Sequence, residues 1–171
     1  MTTLDEWVAC PRCRADLERG DGRVECGACG FVAYANPEAT AGAVCVDDDG
    51  RILLARRAAP VFNGAWDLPG GFLEENEHPL DCLRRELREE TGLEIEPLDF
   101  LGVWMDHYSE DESGPSTLNL YWRARIAEGE LDAADDVSEL RWFAPPDLPP
   151  ADELAFRNVA KVLEPFRNQH A

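Results

Sequence analysis

The chain has 171 residues, enough for one main domain and a small module, and 44% of them are hydrophobic, enough to build a core. It is strongly acidic, with 35 Asp and Glu against 16 Lys and Arg and a net charge of −19, which opposes non-specific binding to nucleic acid or anionic membrane. No apolar run reaches the ~18 residues of a membrane-spanning helix, and the start, MTTLDEWVACPRC, lacks the basic and apolar stretches of an export signal, so the expected location is the cytoplasm.

The first thirty-odd residues stand apart. Cys10-Pro11-Arg12-Cys13 and Cys26-Gly27-Ala28-Cys29 form two CxxC pairs, the spacing of a tetrahedral zinc site. The polar stretch between them suits a short hairpin turning at Asp21-Gly22. Four thiolates leave no open coordination position, so the expected Zn²⁺ is structural. In a cytoplasmic chain, disulfides are the weaker alternative. Cys45 and Cys82 lie outside this set and read as core residues.

Phe31–Pro37 reads as a joint. Ala39–Val46 and Arg51–Arg57 read as strands around the turn Asp47-Asp48-Asp49-Gly50. Trp66–Gly71 (WDLPGG) reads as a loop before a helix at Pro79–Thr91, with Pro79 in the first turn. Leu80, Leu83 and Leu87 share the face of that helix that should pack inward. Leu98–Asp106, Thr117–Ile126 and Val137–Phe143 are expected strands, Ser109–Ser116 a polar loop, and Asp152–Phe166 a final helix.

The helix at Pro79–Thr91 carries the chemistry. Glu86, Glu89 and Glu90 stand at i, i+3 and i+4, which places three carboxylates on one side of one turn. Their mutual repulsion is relieved by a divalent cation, and Mg²⁺ favours oxygen ligands completed by water and substrate phosphates. The spacing therefore points to a carboxylate-held Mg²⁺ site acting on a phosphate ester or anhydride.

Gly71, Glu77, Arg85, Glu86, Leu87, Glu89, Glu90, Gly92 and Leu93 together resemble the Nudix box, the signature of the Nudix hydrolases, at every fixed position. The resemblance implies an α/β fold, the Nudix α/β/α sandwich with a mixed sheet, over residues 35–171, preceded by a small zinc-ribbon module over residues 1–34. It implies that Glu86, Glu89 and Glu90 bind Mg²⁺ (or Mn²⁺). It implies that the backbone near Gly70 or Gly71 completes that site, and that Glu77 and Arg85 orient the loop against the helix. In the family the base that activates water is often a carboxylate of a later loop. Here Glu110, Asp111 and Glu112 are the first choice, and the segment Glu128–Asp136 is the second. Arg56 or Arg57 is expected to grip a phosphate, and Phe62, Trp66, Trp104 and Tyr121 are candidates to stack on a base.

The zinc ribbon resembles that of NADH pyrophosphatases, yet the Ser-Gln-Pro-Trp-Pro-Phe-Pro-x-Ser array of those enzymes is absent after Leu93. Tyr108 lies near the position of a tyrosine in dinucleoside polyphosphate hydrolases. The resemblance implies hydrolysis of a nucleoside diphosphate linked to another group, ADP-ribose-like first, NADH second and nucleoside triphosphates third. A different class is a nucleotide sensor, or a factor that acts on RNA 5′ ends through the ribbon, to which Arg12, Arg14, Arg19 and Arg23 are expected to give a local positive balance. A homodimer is an expectation from the family.

Overall fold

The computed structural model describes residues 4–167, so the outermost residues of the two expected segments lie outside the described range. Near the N-terminus, β1 (Glu18–Gly20), β2 (Arg23–Glu25) and β3 (Val32–Tyr34) form a small antiparallel sheet in that order. The hairpin turns at Asp21-Gly22 as expected, with Gly22 at φ +66°. Val32–Tyr34 corrects the reading of Phe31–Pro37 as a joint. After the second CxxC turn the chain folds back, and Arg23, Val24 and Glu25 pair with Tyr34, Ala33 and Val32.

The rest builds on two sheets. The strands are β4 (Glu38–Cys45), β5 (Ile52–Arg57), β6 (Trp66–Asp67), β7 (Gly70–Phe72), β8 (Leu93–His107), β9 (Ser116–Gly129) and β10 (Val137–Phe143). The order β7-β4-β9-β8 makes a mixed sheet, in which β4 and β9 are parallel and the other neighbours antiparallel. The order β10-β5-β6 makes an antiparallel sheet. Helices α1 (Pro79–Thr91) and α2 (Arg157–Arg167) each anchor one of two cores.

Strand alternation sends successive side chains to opposite faces. Ala41, Ala43 and Cys45 of β4 and Leu53 of β5 pack with Cys82, Leu83 and Leu87 of α1. Val44, Ile52 and Leu54 pack instead with Val159, Val162, Leu163 and Phe166 of α2. Both Cys45 and Cys82 are fully buried, and burial pushes each thiol up to about 12, which suits packing rather than nucleophilic chemistry.

Helix α1 has the expected bounds because both ends are capped. The His78 ring accepts the Leu80 N–H at 3.2 Å, Pro79 occupies the first turn, and Gly92 closes the helix at φ +72° by donating to the Arg88 carbonyl at 3.0 Å. Helix α2 starts later than the expected Asp152. Ala151–Glu153 forms a 3-10 turn, and the Ala155 N–H bonds the Trp66 carbonyl at 2.8 Å, tying the chain to β6. The Asp106 carboxylate then caps the helix by accepting the Asn158 N–H at 2.9 Å. WDLPGG forms β6 and β7 around Leu68-Pro69 rather than a loop. Strands β8 and β9 extend beyond their expected ends, with the register shifting after Pro97.

Candidate active site

A cavity of about 210 Å³ opens where β4, β7, α1 and β9 meet. Two of the three box carboxylates, Glu86 and Glu90, line it, together with Gly70, Gly71 and Asp67 from the WDLPGG segment.

Glu90 is 7% exposed, and its Oε2 accepts the Gly70 N–H at 2.8 Å. Gly70 stands at φ +146°, and a Cβ there would fall 2.2 Å from the Ala41 carbonyl oxygen, so the backbone can approach Glu90 only with glycine at this position. Burial raises the Glu90 carboxyl well above the usual range, against the pull of the Gly70 N–H. Glu86 is likewise pushed up by burial, while Arg85 bonds it at 2.6 Å. Gly71 is the residue that leaves room for it, because a Cβ there would lie 2.4 Å from the Glu86 carboxyl carbon.

Glu89 differs from the other two in exposure. Its side chain is half exposed, meets Arg85 at 3.1 Å and does not line the cavity. Arg85 Nη1 bonds both Glu86 and Glu89, so those two carboxylates meet at one nitrogen, while the Gly70 N–H holds Glu90. Arg85 also bonds both oxygens of Glu77 at 2.8 Å and the Phe72 carbonyl at 3.1 Å. This clamp joins the loop, β7 and α1 outside the cavity, and its hydrogen bonds hold Glu77 down at about 2.

Arg57 lines the cavity, and Arg56 does not. Arg56 is exposed, donates to the Gly64 carbonyl at 3.0 Å and pairs with Glu139 at 3.4 Å. Arg57 is nearly buried and bonds Asp67 at 3.0 Å. Burial lifts Asp67 to about 6 against the pull of Arg57.

The acids of the Ser109–Ser116 loop do not line the cavity; Asp111 bonds Ser113 within its own loop, and Glu112 pairs with Arg157. Asp135 and Asp136 of the alternative segment do line it. Their loop is strapped in place, with the Asp132 and Ala134 N–H groups bonding the Thr91 and Glu90 carbonyls at 2.9 and 3.2 Å. Of the candidate aromatics, Tyr121 lines the cavity, Trp66 packs edge-on to Phe143, Trp104 edge-on to Tyr121, and Phe62 edge-on to Phe156. Sequence reasoning did not single out Asp67, Phe72, Asn119 or Phe156, which also line the cavity. Asp67 sits in the segment just before the box, but nothing in the string WDLPGG shows that the carboxylate is buried.

The four cysteines form the second centre. The Sγ atoms of Cys10 and Cys29 are 3.7 Å apart, those of Cys13 and Cys26 are 3.5 Å apart, and all four lie within 4.8 Å of one another. A tetrahedral site with Zn–S bonds of about 2.3 Å separates its sulfurs by roughly 3.8 Å, so the set fits zinc. The two turns are equivalent: the residue four after each first cysteine, Arg14 and Gly30, has positive φ and donates back to that cysteine's carbonyl. The ribbon's expected positive balance is not there. Arg12, Arg14, Arg19 and Arg23 are outnumbered in this module by Asp5, Glu6, Asp16, Glu18, Asp21 and Glu25. Arg19 is spent on the Leu4 and Trp7 carbonyls.

The glycine loop and the helical glutamates thus open on one carboxylate-rich cavity. Residues 36–164 match the NUDIX domain, and the chain belongs to the Nudix family of pyrophosphohydrolases. It is 34% identical over 123 residues to an ADP-ribose pyrophosphatase of Methanocaldococcus jannaschii, covering 71% of this chain and 68% of that protein. It is 27% identical over 157 residues to the NAD-capped RNA hydrolase NudC of Pseudomonas aeruginosa, covering 90% of this chain but 53% of that protein. The chain thus spans about half the length of that relative. A crystal structure of a NUDIX hydrolase from Nitrosomonas europaea shares the fold, with a TM-score of 0.77, 24% identity and coverage of 96% of this chain and 92% of that one. Among the described residues no helix is long and apolar enough to cross a membrane.

Proposed function

We propose that the chain hydrolyses the pyrophosphate of a nucleoside diphosphate linked to another group, with ADP-ribose-like substrates first and NADH second. The observation that carries this reading is the joint placement of Glu86 and Glu90 beside Gly70 and Gly71 on one cavity. Glu86 and Glu90 are the first residues to hold Mg²⁺ or Mn²⁺, with Glu89, which shares Arg85 Nη1 with Glu86, as the third carboxylate. A divalent cation bound there neutralises phosphate charge and lowers the pKa of a bound water. The cavity is lined by Asp67, Glu86, Glu90, Asp135 and Asp136, with Arg57 as its cation, so it repels a bare pyrophosphate and fits a cation-bound one.

Water oxygen forms a bond to one phosphorus, the bridging P–O bond breaks, and the leaving phosphate takes the electron pair. The water proton passes to a carboxylate, and Asp135 and Asp136 replace Glu110, Asp111 and Glu112 as the loop acids at hand, since they alone of these reach the cavity. ADP-ribose then yields AMP and ribose 5-phosphate. The relatives named ADP-ribose pyrophosphatase and NAD-capped RNA hydrolase support a nucleoside diphosphate derivative as substrate, and the missing post-box array is the reason NADH is placed second. The ribbon, residues 1–34, serves as a zinc-held structural module beside the hydrolase domain, residues 35–171. The test is a turnover screen with Mg²⁺ or Mn²⁺ against ADP-ribose, NADH, diadenosine polyphosphates and nucleoside triphosphates. A preference for NADH of about a hundredfold in kcat/KM, roughly 3 kcal/mol, overturns the order proposed.

A further inference from the structure

We propose that Asp67 is a positioning residue which, through Arg57, fixes the Tyr108 ring as the wall that recognises the base of the substrate. The inference rests on the reading of this cavity as a nucleoside diphosphate site.

Three elements meet in one chain of hydrogen bonds. Asp67 of β6 is 7% exposed; its Oδ1 accepts the Leu68 N–H at 2.8 Å and its Oδ2 accepts Arg57 Nη1 at 3.0 Å. Arg57, at the end of β5, donates from Nε to the Val61 carbonyl at 3.0 Å and from Nη2 to the Tyr108 hydroxyl at 3.0 Å. Each of its three nitrogens thus makes one bond to protein, using three of the five N–H groups of the guanidinium. The guanidinium also lies over the Phe156 ring, 5.2 Å from its centroid. This geometry uses the planar fork of Arg57 to hold a phenol, beside the phosphate contact expected of it.

Tyr108 follows β8, on the cavity but away from the box helix in sequence. Its ring is stacked on Phe156 at 5.7 Å and 25°, and meets Phe72 edge-on at 5.2 Å and 68°. Asp67, Tyr108, Phe72 and Phe156 all line the same cavity as Glu86 and Glu90. A cluster of rings held rigid on a cavity that also carries the carboxylates attracts a flat, uncharged, polarisable group, and in a nucleoside diphosphate derivative that group is the base. A base stacked there is selected by its π face, while the anhydride lies toward the carboxylates. Arg57 unsupported by Asp67 would leave the Tyr108 hydroxyl without a fixed donor, and the ring could then rotate.

The test compares a ligand with a base and one without. Calorimetry measures AMP and ribose 5-phosphate binding to the full chain and to Tyr108→Ala, Tyr108→Phe and Asp67→Asn. Tyr108→Ala and Asp67→Asn are expected to weaken AMP at least about fivefold, the lower end of base–aromatic stacking, and to leave ribose 5-phosphate within twofold. With ADP-ribose as substrate, KM rises and kcat stays within about threefold. Asp67→Asn added to Tyr108→Phe is expected to weaken AMP no further than the larger single loss, because both break one chain of bonds. If Asp67→Asn does not fold, Tyr108→Phe reads the same link, since it removes only the hydroxyl held by Arg57, and unchanged AMP affinity in it overturns the positioning role. Equal loss of both ligands, or no AMP binding by the unaltered chain, overturns the proposal. AMP binding that depends on Tyr108 without any hydrolysis supports it and overturns the hydrolase reading. Hydrolysis of ADP-ribose with AMP affinity unaffected by Tyr108→Ala overturns the inference alone.

Discussion

Arg85 grips Glu77 with two hydrogen bonds of 2.8 Å, one from Nε and one from Nη2, so the loop before α1 is pinned to the helix that carries Glu86 and Glu90. A bidentate guanidinium–carboxylate pair fixes direction as well as distance. The remaining Nη1 bonds Glu86 at 2.6 Å, so one arginine sets both the loop and a cavity carboxylate.

Glu77→Gln is expected to cost about 1–3 kcal/mol of stability at neutral pH, measured by urea denaturation. The pH dependence has a definite sign. The Arg85 hydrogen bonds hold Glu77 at about 2, below its ordinary 4.5, so its contribution is complete above pH 4.5 and fades as pH falls toward 2. The stability gap between the two proteins should thus be constant above pH 5 and close on acidification. A gap that widens in acid contradicts this account.

Gly71→Ala places a Cβ 2.4 Å from the Glu86 carboxyl carbon, a distance no real pair keeps. Glu86 must move, since the glycine lies in a strand paired to β4 through Ala41. Turnover is expected to fall more than about tenfold, one decade being ~1.4 kcal/mol of activation free energy. The fold should persist by circular dichroism. Full activity would show that the Glu86 position is not critical.

Glu90→Gln retains an oxygen for the Gly70 N–H and removes a charge that burial already disfavours. Thermal melting without added metal should therefore be unchanged or higher. Hydrolysis with Mg²⁺ should fall about a hundredfold or more, the scale of losing a main electrostatic contribution to the transition state. Unchanged turnover would remove Glu90 from the mechanism.

Cys26→Ser is expected to abolish stoichiometric zinc, measured by elemental analysis, where the unaltered chain binds one ion. Hydrogen exchange should show the loss locally. Amides of β2 and β3, paired through Val24 and Ala33, lose protection, and amides of α1 keep theirs. An unaltered chain without zinc would overturn the assignment.

The bounds of α1 were legible because its signals are local: Pro79 at the start, Gly92 at the end and leucines on one face. The late start of α2 was not, since the segment from Ala151 is diverted by a bond to the Trp66 carbonyl, 89 residues earlier in the chain. The same holds for Val32–Tyr34, which is a strand only because β2 lies beside it.

By itself the sequence determined two patterns of possible ligands, four cysteines in CxxC pairs and three glutamates on one helical turn, because each depends on spacing along a few residues. Tertiary structure alone decided that Glu89 turns out to Arg85, that Asp135 and Asp136 reach the cavity while Glu110–Glu112 do not, and that Asp67, Arg57 and Tyr108 join. The physical reason is that burial and hydrogen-bond partnership are properties of space. A carboxylate in WDLPGG reads the same whether solvated or enclosed, and only the packing of β5, β6 and β8 puts it beside a guanidinium and out of water.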